Sequence, residues 1–126
     1  MSSHQKAQDK RKHPRLSHNI PIKICLENGD IVTDTANISR SGVYCRVEKY
    51  IEPMTKLKIH LLLPIVRGGK NTTRKITCQG IIVRTEPVSG KDDCYVAVFF
   101  NDISSKDSES IASYVAQKLE TKTKNS

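Results

Sequence analysis

Apolar residues that alternate with polar ones along much of the chain are the feature that most constrains its fold. The first such segment contains four aliphatic residues: Ile20, Ile22, Ile24 and Leu26. Because successive side chains of a strand point to opposite faces, this period of two predicts a half-buried β-strand. The pair Asn28-Gly29 then favours a tight hairpin turn into a second strand over residues 31–38. Two further alternating segments follow: Val43, Cys45 and Val47, then Leu57, Ile59, Leu61 and Leu63.

The region after these strands combines a glycine-rich segment with two more β-rich runs. Residues 64–74 contain Gly68-Gly69 among several basic residues, which predicts an exposed loop or hairpin tip. Residues 75–85 are β-rich, and Gly80 in their middle indicates a bulge or a close backbone approach. Residues 94–100 are apolar almost throughout, as in a strand covered on both faces. We expect an antiparallel, curled sheet.

The end of the chain changes to a helical period of about 3.6 residues. Ser104 or Ser105 can cap a helix, and Asp107 and Glu109 fall in its first turn, where the helix dipole favours negative charge. Four apolar residues share one face: Ile111, Tyr114, Val115 and Leu119. The pattern predicts a helix over residues 104–120 that packs across the sheet or the mouth of a barrel, with polar, frayed residues after it.

Length and charge limit the class of protein. The 126 residues suffice for one domain with a modest core, and 21 Lys and Arg against 13 Asp and Glu give a net charge of +8. This charge favours an anionic partner: a nucleotide, a nucleic acid or a membrane surface. The longest apolar stretch is far below the roughly 20 residues that span a bilayer, and the basic N-terminus lacks the apolar centre of a signal peptide. We therefore expect a cytoplasmic protein without membrane insertion.

The cysteines and histidines lack the spacing of a metal site. Four cysteines are spread along the chain without a C-x-x-C pair: Cys25, Cys45, Cys78 and Cys94. Each lies in or beside a predicted strand, where a reduced cysteine acts as a small apolar residue. We expect neither a disulfide nor a metal, and no cofactor.

Two polar motifs stand out from the β pattern. Arg11 and Arg15 flank Pro14, whose ring prevents an ordinary helix and pushes His13 toward extended geometry, so these residues predict an arginine-bearing arm. Residues 37–42, Asn-Ile-Ser-Arg-Ser-Gly, place an amide, hydroxyls and a glycine at a strand junction. Such a junction presents short polar groups and bare backbone to a ligand.

In this order and at this separation, the two motifs resemble the Arg-x-x-x-Arg and Asp/Asn-x-Ser-x-x-Gly signatures of PilZ domains, which bind the bacterial second messenger cyclic di-GMP. The resemblance implies a six-stranded antiparallel β-barrel with a C-terminal α-helix and a flexible basic N-terminal arm. It also implies ligand contacts from five residues: Arg11, Arg15, Asn37, Ser39 and Gly42. Asn37 stands where Asp is commoner in the family, so it has no charge for the guanine N–H groups.

Three further residues are weaker candidates for the same ligand: Lys10, Arg40 and Arg84. Arg84 follows a β-rich run and resembles an arginine that helps to bind ligand in some PilZ domains. In the family, a basic residue directly before the first motif arginine goes with uptake of an intercalated ligand pair, and Lys10 holds that position here. The resemblance therefore predicts two ligands per chain.

The ligand chemistry agrees with the residue types. Arginine forms bidentate hydrogen bonds with phosphate or with the O6/N7 edge of guanine, and its plane stacks on a base, whereas lysine is a point charge. The resemblance thus implies a receptor, not an enzyme, with the arm over residues 1–18, a barrel over residues 19–103 and the helix after it. Ligand-induced ordering of the arm would signal to an unidentified protein partner.

Two other interpretations remain open. The basic cluster of residues 10–15 is also typical of a nucleic-acid-binding arm, although we expect no nucleic acid partner. The composition of residues 37–42 is equally that of an ordinary polar turn.

Overall fold

The computed structural model describes the backbone of residues 14–124 and the side chains of residues 14–119. Six strands precede a helix, α1. The elements are β1 (Pro21–Leu26), β2 (Gly29–Ser39), β3 (Gly42–Val47), β4 (Lys56–Arg67), β5 (Lys70–Pro87), β6 (Cys94–Asp102) and α1 (Ser105–Lys124).

The strands close into a barrel in the order β1-β2-β3-β6-β5-β4, and each neighbouring pair is antiparallel. Consecutive strands pair as hairpins except β3 and β4, which are not neighbours in the sheet. The long-range pairings of β3 with β6 and of β1 with β4 complete the ring. The predicted mainly-β barrel with a C-terminal helix is therefore confirmed.

The inward positions of the strands form one hydrophobic core. Alternate residues are buried, as the period-two pattern predicted, and the largest fully buried side chains include Ile22, Ile24, Ile59, Leu61, Leu63 and Ile76. Each contributes about 1.5–3 kcal/mol through removal of its apolar surface from water. Cys45, Cys78 and Cys94 lie in the same core, and burial raises the pKa of the Cys45 thiol to about 12.

Of the two alternatives predicted for residues 64–74, an exposed loop or a hairpin tip, the structure has the hairpin tip, and it is shorter than predicted. The two strands remain paired as far as Arg67 and Lys70, and the turn is only Gly68-Gly69, both with positive φ (60° and 78°). A two-residue turn of this kind matches the twist of a hairpin. Pro64 is tolerated because the pairs of β4 with β1 end at Leu61, which leaves one edge of β4 unpaired there.

The pairing of β5 with β6 shows where glycine is required. The register shifts between Gln79 and Gly80, and a Cβ on Gly80 would lie 2.7 Å from Val98 Cγ1 and 3.2 Å from the backbone oxygen of Phe99. Both halves of the expectation for Gly80, a bulge and a close approach, are confirmed.

The expectation that residues 94–100 are covered on both faces is wrong, since Phe99 is 48% exposed on the outside of the barrel.

Helix α1 begins as predicted and ends later. Ser104 Oγ accepts a hydrogen bond from the Asp107 N–H (3.1 Å), and Arg74 Nη2 donates to Asp107 Oδ1 (2.8 Å), which ties the first turn to β5. The helix lies against β2 and β4 through the buried side chains of Ile111, Tyr114 and Val115. It continues to Lys124 instead of fraying from residue 120.

In the part of the chain that the structure describes, no helix is long and apolar enough to cross a membrane.

Candidate functional site

The segment before β1 is held against the end of β2. Leu16 is buried, and its N–H and C=O exchange hydrogen bonds with Ile38, both of 2.9 Å. In an antiparallel bridge, the residue before Leu16 lies beside the residue after Ile38, so Arg15 comes next to Ser39. Arg15 of the first motif therefore lies beside the second motif. Arg11 and Lys10, the other predicted ligand contacts in this segment, lie outside the described residues.

The turn between β2 and β3 is organised by its own hydroxyl groups. Ser39 Oγ accepts a hydrogen bond from the Ser41 N–H (3.2 Å) and shares another with Ser41 Oγ (3.0 Å). Ser39 is only 6% exposed, so these contacts fix its hydroxyl where it borders the cavity described below. Side-chain to backbone hydrogen bonds of this kind are common in serine-containing turns.

Gly42 starts β3 where it crosses very close to β6. A Cβ at this position would lie 2.1 Å from the backbone oxygen of Val98, a distance at which the backbone itself must move. The close packing of β3 against β6 therefore requires glycine at position 42, whether or not a ligand also approaches the backbone there.

A shallow cavity of about 180 Å³ lies on the outer face of β3, β6 and β5. Its floor follows from the register, in which Gly42 pairs with Phe99, Tyr44 with Ala97, and Ala97 with Arg84. Gly42 and Ala97 have the smallest side chains on this face, and the larger groups around them form the rim. The cavity is lined by Arg15, Asn37, Ser39, Ser41, Gly42, Val43, Tyr44, Val83, Arg84, Ala97, Val98 and Phe99.

Five of the candidate residues named from the sequence border this one cavity: Arg15, Asn37, Ser39, Gly42 and Arg84. They come from three separate parts of the chain. Arg15 and Arg84 supply guanidinium groups, Asn37 an amide and Ser39 a hydroxyl, while Phe99 offers an exposed flat ring. The arrangement suits an anionic ligand with a planar aromatic group, because guanidinium binds phosphate and aromatic rings stack on bases.

Arg40 lies in the same motif but does not border the cavity. Its Nη2 donates to Glu109 Oε2 in α1 at 3.0 Å, and both side chains are substantially exposed. This ion pair links the β2–β3 turn to the helix and, at an exposed site, contributes little to stability.

Arg84 is held at the rim by two neighbouring side chains. Its Nε donates to Glu86 Oε2 (2.6 Å), and its guanidinium carbon lies 6.0 Å from the centre of the Tyr44 ring. The Tyr44 hydroxyl donates a hydrogen bond to Glu86 Oε1. This hydrogen bond, followed by the contact with Arg84, lowers the pKa of Glu86 below its ordinary value.

Sequence reasoning missed several lining residues, notably Tyr44, Ala97 and Phe99. Their alternation along β3 and β6 was readable, since each falls on the face opposite the buried Val43, Val96 and Val98. The pairing of β3 with β6, which brings them together, was not. Val83 enters the cavity at a register shift between Ile82 and Arg84, for which the sequence carries no clear signal.

Comparison with solved structures identifies the same fold in two bacterial proteins. The inhibitor of motility MotI/DgrA from Bacillus subtilis superposes with a TM-score of 0.76 at 18% identity over 90% of this chain. The chain covers 52% of that protein, about half its length. The PilZ domain of YcgR from Escherichia coli, solved with c-di-GMP, gives a TM-score of 0.61 at 10% identity over 92% of this chain and 97% of the other.

Sequence comparison gives a match at the level of the family. No curated protein matches the chain significantly. The model of the PilZ domain family matches residues 9–117, which include both motifs and every strand of the barrel. The chain therefore belongs to the PilZ domain family.

Proposed function

We propose that this protein is a receptor for cyclic di-GMP, which binds in the cavity on the outer face of β3, β6 and β5. The observation that carries the proposal is the meeting of Arg15, the polar turn at Ser39 and Gly42, and Arg84 around one depression. Membership of the PilZ family and the fold shared with the c-di-GMP-bound domain of YcgR support it.

In the proposed binding mode, charged groups, polar groups and the low floor of the cavity contact different parts of the ligand. Arg15, joined by Arg11 and Lys10 from the preceding segment, binds phosphate or a guanine edge through its guanidinium group. Asn37 and Ser39 offer acceptors to the guanine N–H groups. Because Ser39 and Ser41 share one hydrogen bond, one of their two hydroxyl groups is left to donate to the ligand. The low floor at Gly42 and Ala97 lets the ligand approach the backbone.

Signal output follows from the position of the ligand between the N-terminal segment and the barrel. The predicted arm covers residues 1–18, and its end is already held by the hydrogen bonds between Leu16 and Ile38. A ligand held by Arg11 and Arg15 orders the part of the arm before Leu16 against the β2–β3 end and so changes the surface that a downstream protein meets. In this proposal the receptor acts in the cytoplasm and catalyses no reaction.

Isothermal titration calorimetry with cyclic di-GMP, GTP and a short DNA duplex tests the proposal. We expect binding of cyclic di-GMP alone, and we expect Arg15→Ala to weaken it by about 1.5–3 kcal/mol through loss of hydrogen bonds to a charged group. Arg67→Ala is the matched control, because Arg67 is an exposed arginine at the β4–β5 turn, away from the cavity.

The same titration measures stoichiometry, for which the prediction from Lys10 is two ligands per chain. Tight duplex binding with a steep salt dependence, together with no heat from cyclic di-GMP, would contradict the receptor and favour a nucleic-acid-binding protein.

A further inference from the structure

Tyr44 and Glu86 engage Arg84 from two directions. One carboxylate oxygen of Glu86 accepts from Arg84 Nε at 2.6 Å, and the other accepts from the Tyr44 hydroxyl. The Tyr44 ring in turn lies 6.0 Å from the guanidinium carbon of Arg84. Each member of this triad therefore contacts the other two.

The barrel register makes this triad possible. Tyr44 on β3 and Arg84 on β5 both pair with Ala97 of the intervening strand, and the small methyl group of Ala97 lets the two long side chains meet across it. The Tyr44 ring also stacks on Tyr95, with centroids 5.1 Å apart and planes inclined by 6°. The ring that contacts Arg84 is thus supported by a second ring.

The ionisation of the triad keeps its donors and acceptors in fixed roles at neutral pH. Burial, reinforced by the hydrogen bond to Glu86, raises the pKa of Tyr44 to about 12, so its hydroxyl remains a donor. The hydrogen bond from Tyr44 and the contact with Arg84 lower the pKa of Glu86, so its carboxylate remains an acceptor.

We propose that Tyr44 and Glu86 are positioning residues that orient Arg84 to contact the base edge of the ligand, so that they set discrimination between guanine and adenine. This inference rests on the proposed binding of cyclic di-GMP. The contact with Glu86 engages the Nε–H, one of five guanidinium donors, and Arg84 borders the cavity. A fixed guanidinium donates to both O6 and N7 of guanine, whereas adenine presents a donor where guanine has O6.

Cyclic di-AMP is the probe that separates base recognition from charge, because it carries the same two phosphates. The experiment measures by calorimetry the dissociation constants of cyclic di-GMP and cyclic di-AMP for the unmodified protein, Tyr44→Phe and Glu86→Gln. Tyr44→Phe keeps the stacked ring and removes only the hydroxyl. We expect each variant to reduce the cyclic di-GMP preference by about tenfold, with the loss falling on cyclic di-GMP.

Asp93→Asn is the matched control. Asp93 holds Arg46 at 2.9 Å on the same outer face, beside Tyr95, and does not border the cavity. We expect this variant to retain the full preference, and circular dichroism melting curves show whether each variant is folded.

Three results would overturn the inference. An unchanged preference in folded Tyr44→Phe and Glu86→Gln shows that the two residues do not position Arg84 for the base. An equal loss for both ligands shows that Arg84 acts on phosphate. Absence of cyclic di-GMP binding by the unmodified protein refutes the proposed function itself and this inference with it.

Discussion

Two arginines on the outer face of the barrel are held in nearly the same way, yet only one borders the cavity. Arg84 is bound by Glu86 and lies over Tyr44, while Arg46 is bound by Asp93 and lies 5.7 Å from the Tyr95 ring centre. The two rings stack on each other, so the arginines stand at opposite ends of one aromatic pair.

The difference comes from the neighbouring side chains, not from the arginines. Arg46 pairs directly across the strands with Tyr95, so the ring fills the space beside it. Arg84 pairs with Ala97, whose methyl group leaves the space open, and Gly42 widens it one row further along. Both guanidinium groups lie over a tyrosine ring, and the small residue directly across from Arg84 is what places Arg84 at the edge of the cavity.

Filling that space gives the largest expected effect. Ala97→Leu places three more carbons on the floor and separates Tyr44 from Arg84, so we expect the affinity for cyclic di-GMP to fall by about 3 kcal/mol, roughly a hundredfold. Calorimetry measures the loss, and a melting curve tests folding, which we expect to survive because Ala97 faces outward. Unchanged affinity would show that the ligand does not use this floor.

Removing each arginine in turn tests the comparison directly. Arg84→Ala should weaken cyclic di-GMP binding by about tenfold or more, as expected for a lost hydrogen bond to a charged or strongly polar group. Arg46→Ala should leave the affinity within about twofold, a change smaller than one lost hydrogen bond. Since both ion pairs are partly exposed, neither change should alter the melting temperature much. An equal loss of cyclic di-GMP affinity in Arg84→Ala and Arg46→Ala would contradict the distinction drawn between the two arginines.

The smallest effect is expected in the titration of Tyr44. Its raised pKa means that the neutral hydroxyl contributes stability below its ordinary pKa of about 10, and that this contribution is lost as the pH rises through about 12. The difference between the ultraviolet tyrosinate titrations of the unmodified protein and Tyr44→Phe should contain a step at about pH 12. In Glu86→Gln this step should move toward the ordinary value. A Tyr44 step already at its ordinary value would contradict the contact with Glu86.

Much of the fold could be predicted from local patterns. The alternation from Ile20 onward identified strands because one face of each strand packs in the core and the other faces water. Ser104 and Asp107 marked the start of α1 because helix ends need capping groups. The length of the β4–β5 hairpin was underestimated, since the pairing that continues to Arg67 and Lys70 depends on the register between the two strands.

The candidate site was predictable only where a motif names its residues. Asn37, Ser39 and Gly42 lie within six consecutive positions, so their proximity is a local property that any fold preserves. Arg40, in the same stretch, turns toward Glu109 instead, because its direction depends on where α1 packs. Motif membership therefore does not decide which side chain reaches the cavity.

The sequence by itself determined the strand and helix character of the segments and the two polar motifs, because periodicity and turn chemistry act over a few neighbouring residues. Only the tertiary structure decided that Ala97 lies between Tyr44 and Arg84, that Phe99 faces the cavity, and that Arg46 is packed on Tyr95. These relations depend on the register between strands far apart in the chain and on the shift between Ile82 and Arg84. A one-residue slip in either pairing would exchange the inner and outer faces, so no local pattern can specify them.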